Sequence, residues 1–313
     1  MKDKNHYILY LLFIIYGFLL IPLGNYKIPE QNHAGHYNIQ KIDLGDDTGY
    51  YAYLRSGFID GDFDFFNEKR FWHFDAISKT GYTENYWFIG AAILWLPFFF
   101  IGHGVAWLYN LLGYPVTTDG YSFPYHAFTF LASACEVFVA LILCYKILKR
   151  FYSQSASLVA TLLMFTATCL PYFTFIRNRM SHSGDILAAF VFFLFFLDFR
   201  DKQEKPPQFF VWWGICAGIL FDLRYSNLVY LILPCGLFLK NYLADKEFFN
   251  REKKFRILLG GVAFIITTLP QWITWLKLNG AMKPETSGMA IALSPGVTGL
   301  LNAFKDLFFS RAW

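Results

Sequence analysis

The stretch PYHAFTFLASACEVFVALILCY, residues 124–145, decides the fold. A continuous apolar run of this length suits one helical crossing of a bilayer core, which takes roughly 20 residues. It runs straight into a basic cluster, Tyr145-Lys146-Ile147-Leu148-Lys149-Arg150-Phe151. Comparable runs lie at 7–23, 155–176, 185–199, 209–223, 227–243 and 257–276, two of them short. The chain has 313 residues, is 56% hydrophobic and 16% charged, and has a mean hydropathy of +0.35. A soluble domain cannot hide that much apolar surface. The runs are continuous, whereas a membrane β-barrel alternates polar and apolar residues in short strands. The expectation is an all-α polytopic membrane helical bundle of about seven spans, forming one transmembrane domain over 1–313.

The segment Trp87–Gly113 is apolar as well, but it carries Pro97, Gly102, His103 and Gly104. Charge bias decides its role, because cytoplasmic loops collect Lys and Arg. If it lies in the external interface or re-enters, one side holds Lys2, Lys4, Lys146, Lys149, Arg150, Arg200, Lys202, Lys205 and the basic residues from Lys240 to Arg256. The other side then keeps only Arg177, Arg179, Arg224, Lys277 and Lys283. If it crosses, every later loop inverts and the bias fails. An interfacial or re-entrant helix is therefore expected, with the amino end cytoplasmic and residues 24–86 forming a long external loop. The apolar run 7–23 has no small-residue cleavage site and is too long for a signal core, so it reads as a retained span. The composition implies a multi-pass membrane protein surrounded by lipid.

Several function classes fall away. Net charge is only +4 and no basic stripe has groove-reading geometry, so nucleic acid is not an expected partner. Cys135, Cys144, Cys169, Cys216 and Cys235 all lie in apolar runs without metal-type spacing. His33-x-x-His36 lacks the helical context of a zinc motif. Asp62 and Asp64, with Asp46 and Asp47, offer oxygen ligands for a divalent cation, but their spacing does not support one. No metal site and no cofactor is expected.

A loop as long as 24–86 usually has a function. Within it, Asp46 and Asp47 open a helix-like run to about Ile59, ended by Gly61. Tyr50, Leu54 and Phe58 would share a face, giving a helix flat on the membrane with an acidic tip. The pair reads either as a helix cap or as a general base against an acceptor hydroxyl. Two further external segments carry cations against the charge bias. In Arg177-Asn178-Arg179-Met180-Ser181-His182-Ser183-Gly184-Asp185 the arginines and His182 are suited to gripping a phosphate, or to snorkelling at the interface. In Asp222-Leu223-Arg224-Tyr225-Ser226-Asn227 the arginine either pairs with Asp222 or holds a phosphate leaving group.

Together these features resemble membrane glycosyltransferases of the GT-C fold. More narrowly they resemble bacterial members of glycosyltransferase family 39, relatives of the protein O-mannosyltransferases and the lipid A aminoarabinose transferases. The family's acidic motif opens a helix in the first external loop and is followed by a Gly-Asp-aromatic turn. Asp47-Thr48-Gly49-Tyr50-Tyr51-Ala52 and Gly61-Asp62-Phe63 stand in that order here. Tyr86–Pro97 is similar to the family's external segment with Leu-Trp and Pro, and the basic end of the 124–145 span also matches. The resemblance covers most of the chain through short motifs.

The resemblance implies transfer of a sugar from a polyprenyl-phosphate donor to an acceptor hydroxyl at the external face, with inversion. The acceptor is a glycan, a lipid or a protein. Asp47 would be the catalytic base, with Asp46 its rival, because Thr48 stands where the family has its second acidic residue. Arg224 would face the donor phosphate, helped by Arg179, His182 and Arg177. Family members are longer than this chain, so a carboxyl-terminal truncation is expected. Two other classes share a polytopic, aromatic-rich composition: a lipid or saccharide transporter or flippase, and a non-catalytic assembly protein. A transporter places polar groups mid-span or pairs broken helices; here the polar groups cluster at external ends.

Overall fold

The computed structural model describes residues 5–24, 46–68, 77–83, 85–202 and 204–282. His33, His36, Asp43, Asp75 and all positions beyond 282 lie outside these residues. The described chain is helical: α1 (Asn5–Gly24), α2 (Asp46–Arg55), α3 (Gly90–Leu111), α4 (Phe123–Leu148), α5 (Gln154–Thr166), α6 (Leu170–Phe175), α7 (His182–Asp201), α8 (Pro207–Leu223), α9 (Ile232–Ala244) and α10 (Arg251–Asn279). An isolated antiparallel bridge joins Ile77 to Thr83. Five segments are long and apolar enough to cross a membrane: α3, α4, α7, the unit Tyr225–Ala244 and α10. Shorter apolar helices occupy Tyr7–Leu19, Gln154–Thr166 and Pro207–Leu223. The chain is thus an all-helical protein with several helices of the kind found in multi-pass membrane proteins.

One expected span is broken, and another changes its winding along its length. The run 155–176 splits into α5 and α6 around 167–169. Pro171 lacks the N–H that would bond to the Ala167 carbonyl and disfavours helix at the residue before it, and it stands in the first turn of α6, where no such bond is needed. The run 227–243 starts as a 3₁₀ turn, Tyr225–Leu231, and becomes α-helical at Ile232, two residues before Pro234. Proline is tolerated in that first turn, where its missing N–H would go unpaired anyway.

The largest packed unit is α7, α8 and α10. Phe199 meets Phe210 and Phe192 meets Trp213, with ring centroids 5.7 Å apart in both pairs, so α7 and α8 run antiparallel. α10 runs parallel to α8: Gly260 abuts Gly214, Thr267 abuts Gly218, and Trp272 and Trp275 reach Phe221. A Cβ on Gly214 would collide with the carbonyl oxygen of Gly260. Small residues of this kind let membrane helices approach backbone to backbone.

The two ends of the bundle differ in chemistry. At one end Arg150 pairs with Asp198 at 2.7 Å, Lys253 with Glu204 at 3.3 Å, and Arg256 donates to the Lys205 carbonyl at 2.7 Å. The opposite end carries α2, α3, the start of α7 and the ends of α8 and α10. There α3 meets α8 through Gly90, which lies against the backbone of Asp222 and Leu223. It meets α7 at the first turn, Leu94 against Gly184. Its long partner is α4, through Gly102, where a Cβ would lie 3.0 Å from Tyr125 Cα, and His103 Nδ1 at 2.7 Å from Tyr125 Oη. α2 joins the flanks of α3 to each other. Tyr53 donates to the Trp87 carbonyl at 2.6 Å, and Arg55 Nε donates to the Asp119 carbonyl at 3.0 Å.

The α2 helix departs from the expected surface helix. Every residue from Asp47 to Ser56 is buried. Gly49 admits the Trp87 ring, which any Cβ would strike. Tyr53 packs on Phe65 with centroids 5.1 Å apart. Arg55 lies 4.6 Å over Tyr121 and is bound by Asp60 and by Glu68, the latter at 2.6 Å. The helix loosens into a π turn, Ser56–Asp60, and stops at Gly61 with φ 75°. Glycine adopts that left-handed conformation without steric cost.

Candidate active site

The end of the bundle away from the basic loops gathers charges from three segments. α2 supplies Asp46, Asp47 and Tyr50. The 176–185 turn supplies Arg177, Arg179, Ser181, His182 and Asp185. The break after α8 supplies Arg224 and Asn227. α2 starts with two carboxylates, which suit the positive end of the helix dipole. Arg224 is the first residue beyond α8, in extended conformation (φ −159°, ψ 131°), and this swings its side chain away from the α8 axis.

Arg224 is anchored at two points. Its Nε lies 3.2 Å from Asp185 Oδ2 and donates to Ser181 Oγ at 3.0 Å. Its Nη2 is 3.4 Å from both ring nitrogens of His182. Asn227 donates to the other Asp185 oxygen at 2.8 Å. Ser181 Oγ also lies 3.3 Å from Tyr50 Oη and 3.3 Å from Asp185 Oδ2. Thus Arg224, Ser181 and Tyr50 form one polar chain linking α8 to α2. Burial pushes the Tyr50 phenol above its ordinary 10, so it stays protonated at neutral pH and keeps a proton to donate.

Of the expected acidic pair, Asp47 is buried and lies 3.7 Å from Arg177 Nη2. Asp46 is exposed, and its charge is felt at Tyr50 and at His182. Arg179 is 4% exposed; its guanidinium sits 5.3 Å over the Tyr51 ring and its Nη1 lies 3.1 Å from His126 Nδ1. His126 Nε2 is 3.0 Å from the Tyr121 carbonyl, which makes that nitrogen the donor and leaves Nδ1 to accept from Arg179. The structure therefore brings Asp47, Asp46, Arg177, His182 and Arg224 to one end around Tyr50 and Ser181. Arg179 turns toward α4 beneath them.

The alternative pairing of Arg224 with Asp222 does not occur; its carboxylate partner is Asp185. Asp222 is fully buried, and neither carboxylate oxygen is hydrogen-bonded among the described residues. Sequence reasoning missed the roles of Ser181 and Asp185, which sit in a segment chosen for its cations. It also missed Glu136, although a lone carboxylate inside an apolar run is itself a signal. Among the described residues no cluster of three His, Cys, Asp or Glu could hold a metal ion.

A cavity of about 240 Å³ lies elsewhere, between α7, α8, α9 and α10. Phe192, Trp213, Pro234, Phe238 and Phe264 are among its lining residues, and none of the charged residues above lines it. Compared with known proteins, the chain matches no family model, no curated protein and no solved structure.

Proposed function

We propose that this protein is a membrane glycosyltransferase of GT-C type, similar to glycosyltransferase family 39. It moves a sugar from a polyprenyl-phosphate donor to an acceptor hydroxyl at the external face. One observation carries the reading. Tyr50, one helical turn from the buried carboxylate of Asp47 on α2, is joined through Ser181 to the anchored guanidinium after α8, at one end of an apolar bundle. In this reading the chain makes seven crossings, with α5 and α6 forming one broken span and α3 lying in the interface. The basic end of the bundle then faces the cytoplasm of a bacterial inner membrane.

Asp47 accepts the proton of the acceptor hydroxyl, with Arg177 fixing the carboxylate. The oxygen attacks the anomeric carbon, and the bond to the phosphate breaks with inversion. Charge develops on the departing phosphate, which Arg224 and Arg177 stabilise. Asp46 stands at the solvent edge, where a proton taken by Asp47 passes to water. The apolar cavity in the bundle suits a lipid chain better than a polar ligand.

The test is turnover of a polyprenyl-phosphate sugar by protein purified in lipid. General-base catalysis contributes about 10²–10⁴-fold, so Asp47→Asn should lose at least about a hundredfold while melting at the wild-type temperature. Unchanged turnover removes Asp47 from the chemistry. A non-catalytic assembly protein shows no turnover in either form.

A further inference from the structure

Glu136 stands mid-way along α4 and is 6% exposed. Neither carboxylate oxygen has a hydrogen-bond partner among the described residues. The indole N–H of Trp95 on α3 and the hydroxyl of Ser183 on α7 are buried and equally unmet. Both lie close enough to the Glu136 carboxyl to act on it as donors. Buried polar groups are costly when unsatisfied, and one trapped water commonly joins two to four of them. Three helices therefore each contribute a buried, unpaired polar group to one otherwise apolar contact.

This polar cluster backs directly onto the Arg224 anchor. Ser183 lies between Ser181 and Asp185, the two residues that hold the guanidinium. The charge of Asp185 also faces Glu136. Gly184 leaves that turn no slack: a Cβ there would lie 2.8 Å from Leu94 Cδ1 and 2.9 Å from Leu223 Cδ2. The first turn of α7 is wedged between α3 and α8, with Glu136 behind it.

We propose that Glu136 is a positioning residue for Arg224: with Trp95 and Ser183 it forms a buried polar cluster that fixes the first turn of α7, and through Asp185 and Ser181 it aims the guanidinium at a phosphate. The inference rests on the reading of Arg224 as the phosphate-binding residue. The probe is a polyprenyl phosphate without sugar, titrated against the whole protein in lipid nanodiscs. Glu136→Leu should weaken binding about tenfold, as expected for residues coupled through shared partners. Glu136→Gln, which keeps size and hydrogen-bonding capacity, should restore most of it. In an Arg224→Ala background, Glu136→Leu should cause no further loss. An equal loss in both backgrounds overturns the positioning role while leaving the reading of Arg224 intact. Binding that does not depend on Arg224 overturns that reading and the proposal with it. Should Glu136→Leu fail to fold, Ser183→Ala removes one member of the cluster with less disturbance, and the same comparison between the two backgrounds decides.

Discussion

Glu68 presents the clearest residue-scale conflict between burial and charge. It is 1% exposed and bound to Arg55 Nη1 at 2.6 Å. Burial pushes its carboxyl from the ordinary 4.5 up to about 7, against the pull of the Arg55 hydrogen bond and charge. A folded-state value above the unfolded one means that the folded protein binds the extra proton between the two. Its stabilisation is complete below about 4.5 and is lost as pH rises through about 7. Glu68→Gln removes this titration and keeps a hydrogen-bond acceptor for Arg55. Between about pH 5 and pH 8 the wild type should therefore lose several degrees of unfolding temperature relative to Glu68→Gln, read by thermal unfolding in detergent. Parallel pH profiles for the two proteins would remove Glu68 as the titrating group. Individual residues were only half legible in the sequence. The pair Asp46-Asp47 and the misplaced cations stood out by type and position, whereas the partners that hold them came from far along the chain. Ser181 has nothing in its surroundings to mark it, yet it joins Tyr50 on α2 to Arg224 after α8.

Elements were legible where period and punctuation agreed, and less so where packing intervened. The Gly61 stop, the proline-started α4 and the Gly280 end of α10 follow local rules. The burial of α2 does not, since its wrapping by Trp87, Phe65 and Tyr121 is set by contacts 12 to 66 residues apart in sequence. The contact of α8 with α10 lies between these cases. Glycines in an apolar run hint at close approach, but only the fold reveals that Gly214 faces the Gly260 backbone while Gly261 faces open space. A side chain at 214 must push two backbones apart, and overpacking of this kind costs about 1–3 kcal/mol. Gly214→Leu should lower the temperature at which the detergent-solubilised protein is lost from its monodisperse peak, whereas Gly261→Ala should leave it unchanged or raise it. Equal behaviour of the two variants would mean that the α8–α10 contact is looser than described.

At the scale of the whole molecule, the placement of α3 determines the sidedness of everything after it. Its 22 residues would reach about 33 Å if they crossed, and composition alone permits that. Its flanks argue otherwise. α2 binds Trp87 before α3 and Asp119 after it, through residues only two apart, Tyr53 and Arg55. Both flanks therefore lie at the same end of the bundle, the end with Asp46 and without the Arg150, Arg256 and Lys253 cluster. Exposed aromatics on the far half of α3 and beyond it, Trp107, Tyr109 and Tyr114, suit the headgroup layer, where such rings collect. Single cysteines at Asp62, Leu112 and Lys246, in a parent freed of its own thiols, turn this into a measurement with a membrane-impermeant maleimide. Asp62→Cys and Leu112→Cys should both label in intact cells, and Lys246→Cys only after permeabilisation. Labelling of Leu112→Cys together with Lys246→Cys would make α3 a crossing helix. It would also separate residues on α2 from the 117–121 turn they touch, and the shared site at the start of α7 would go with it.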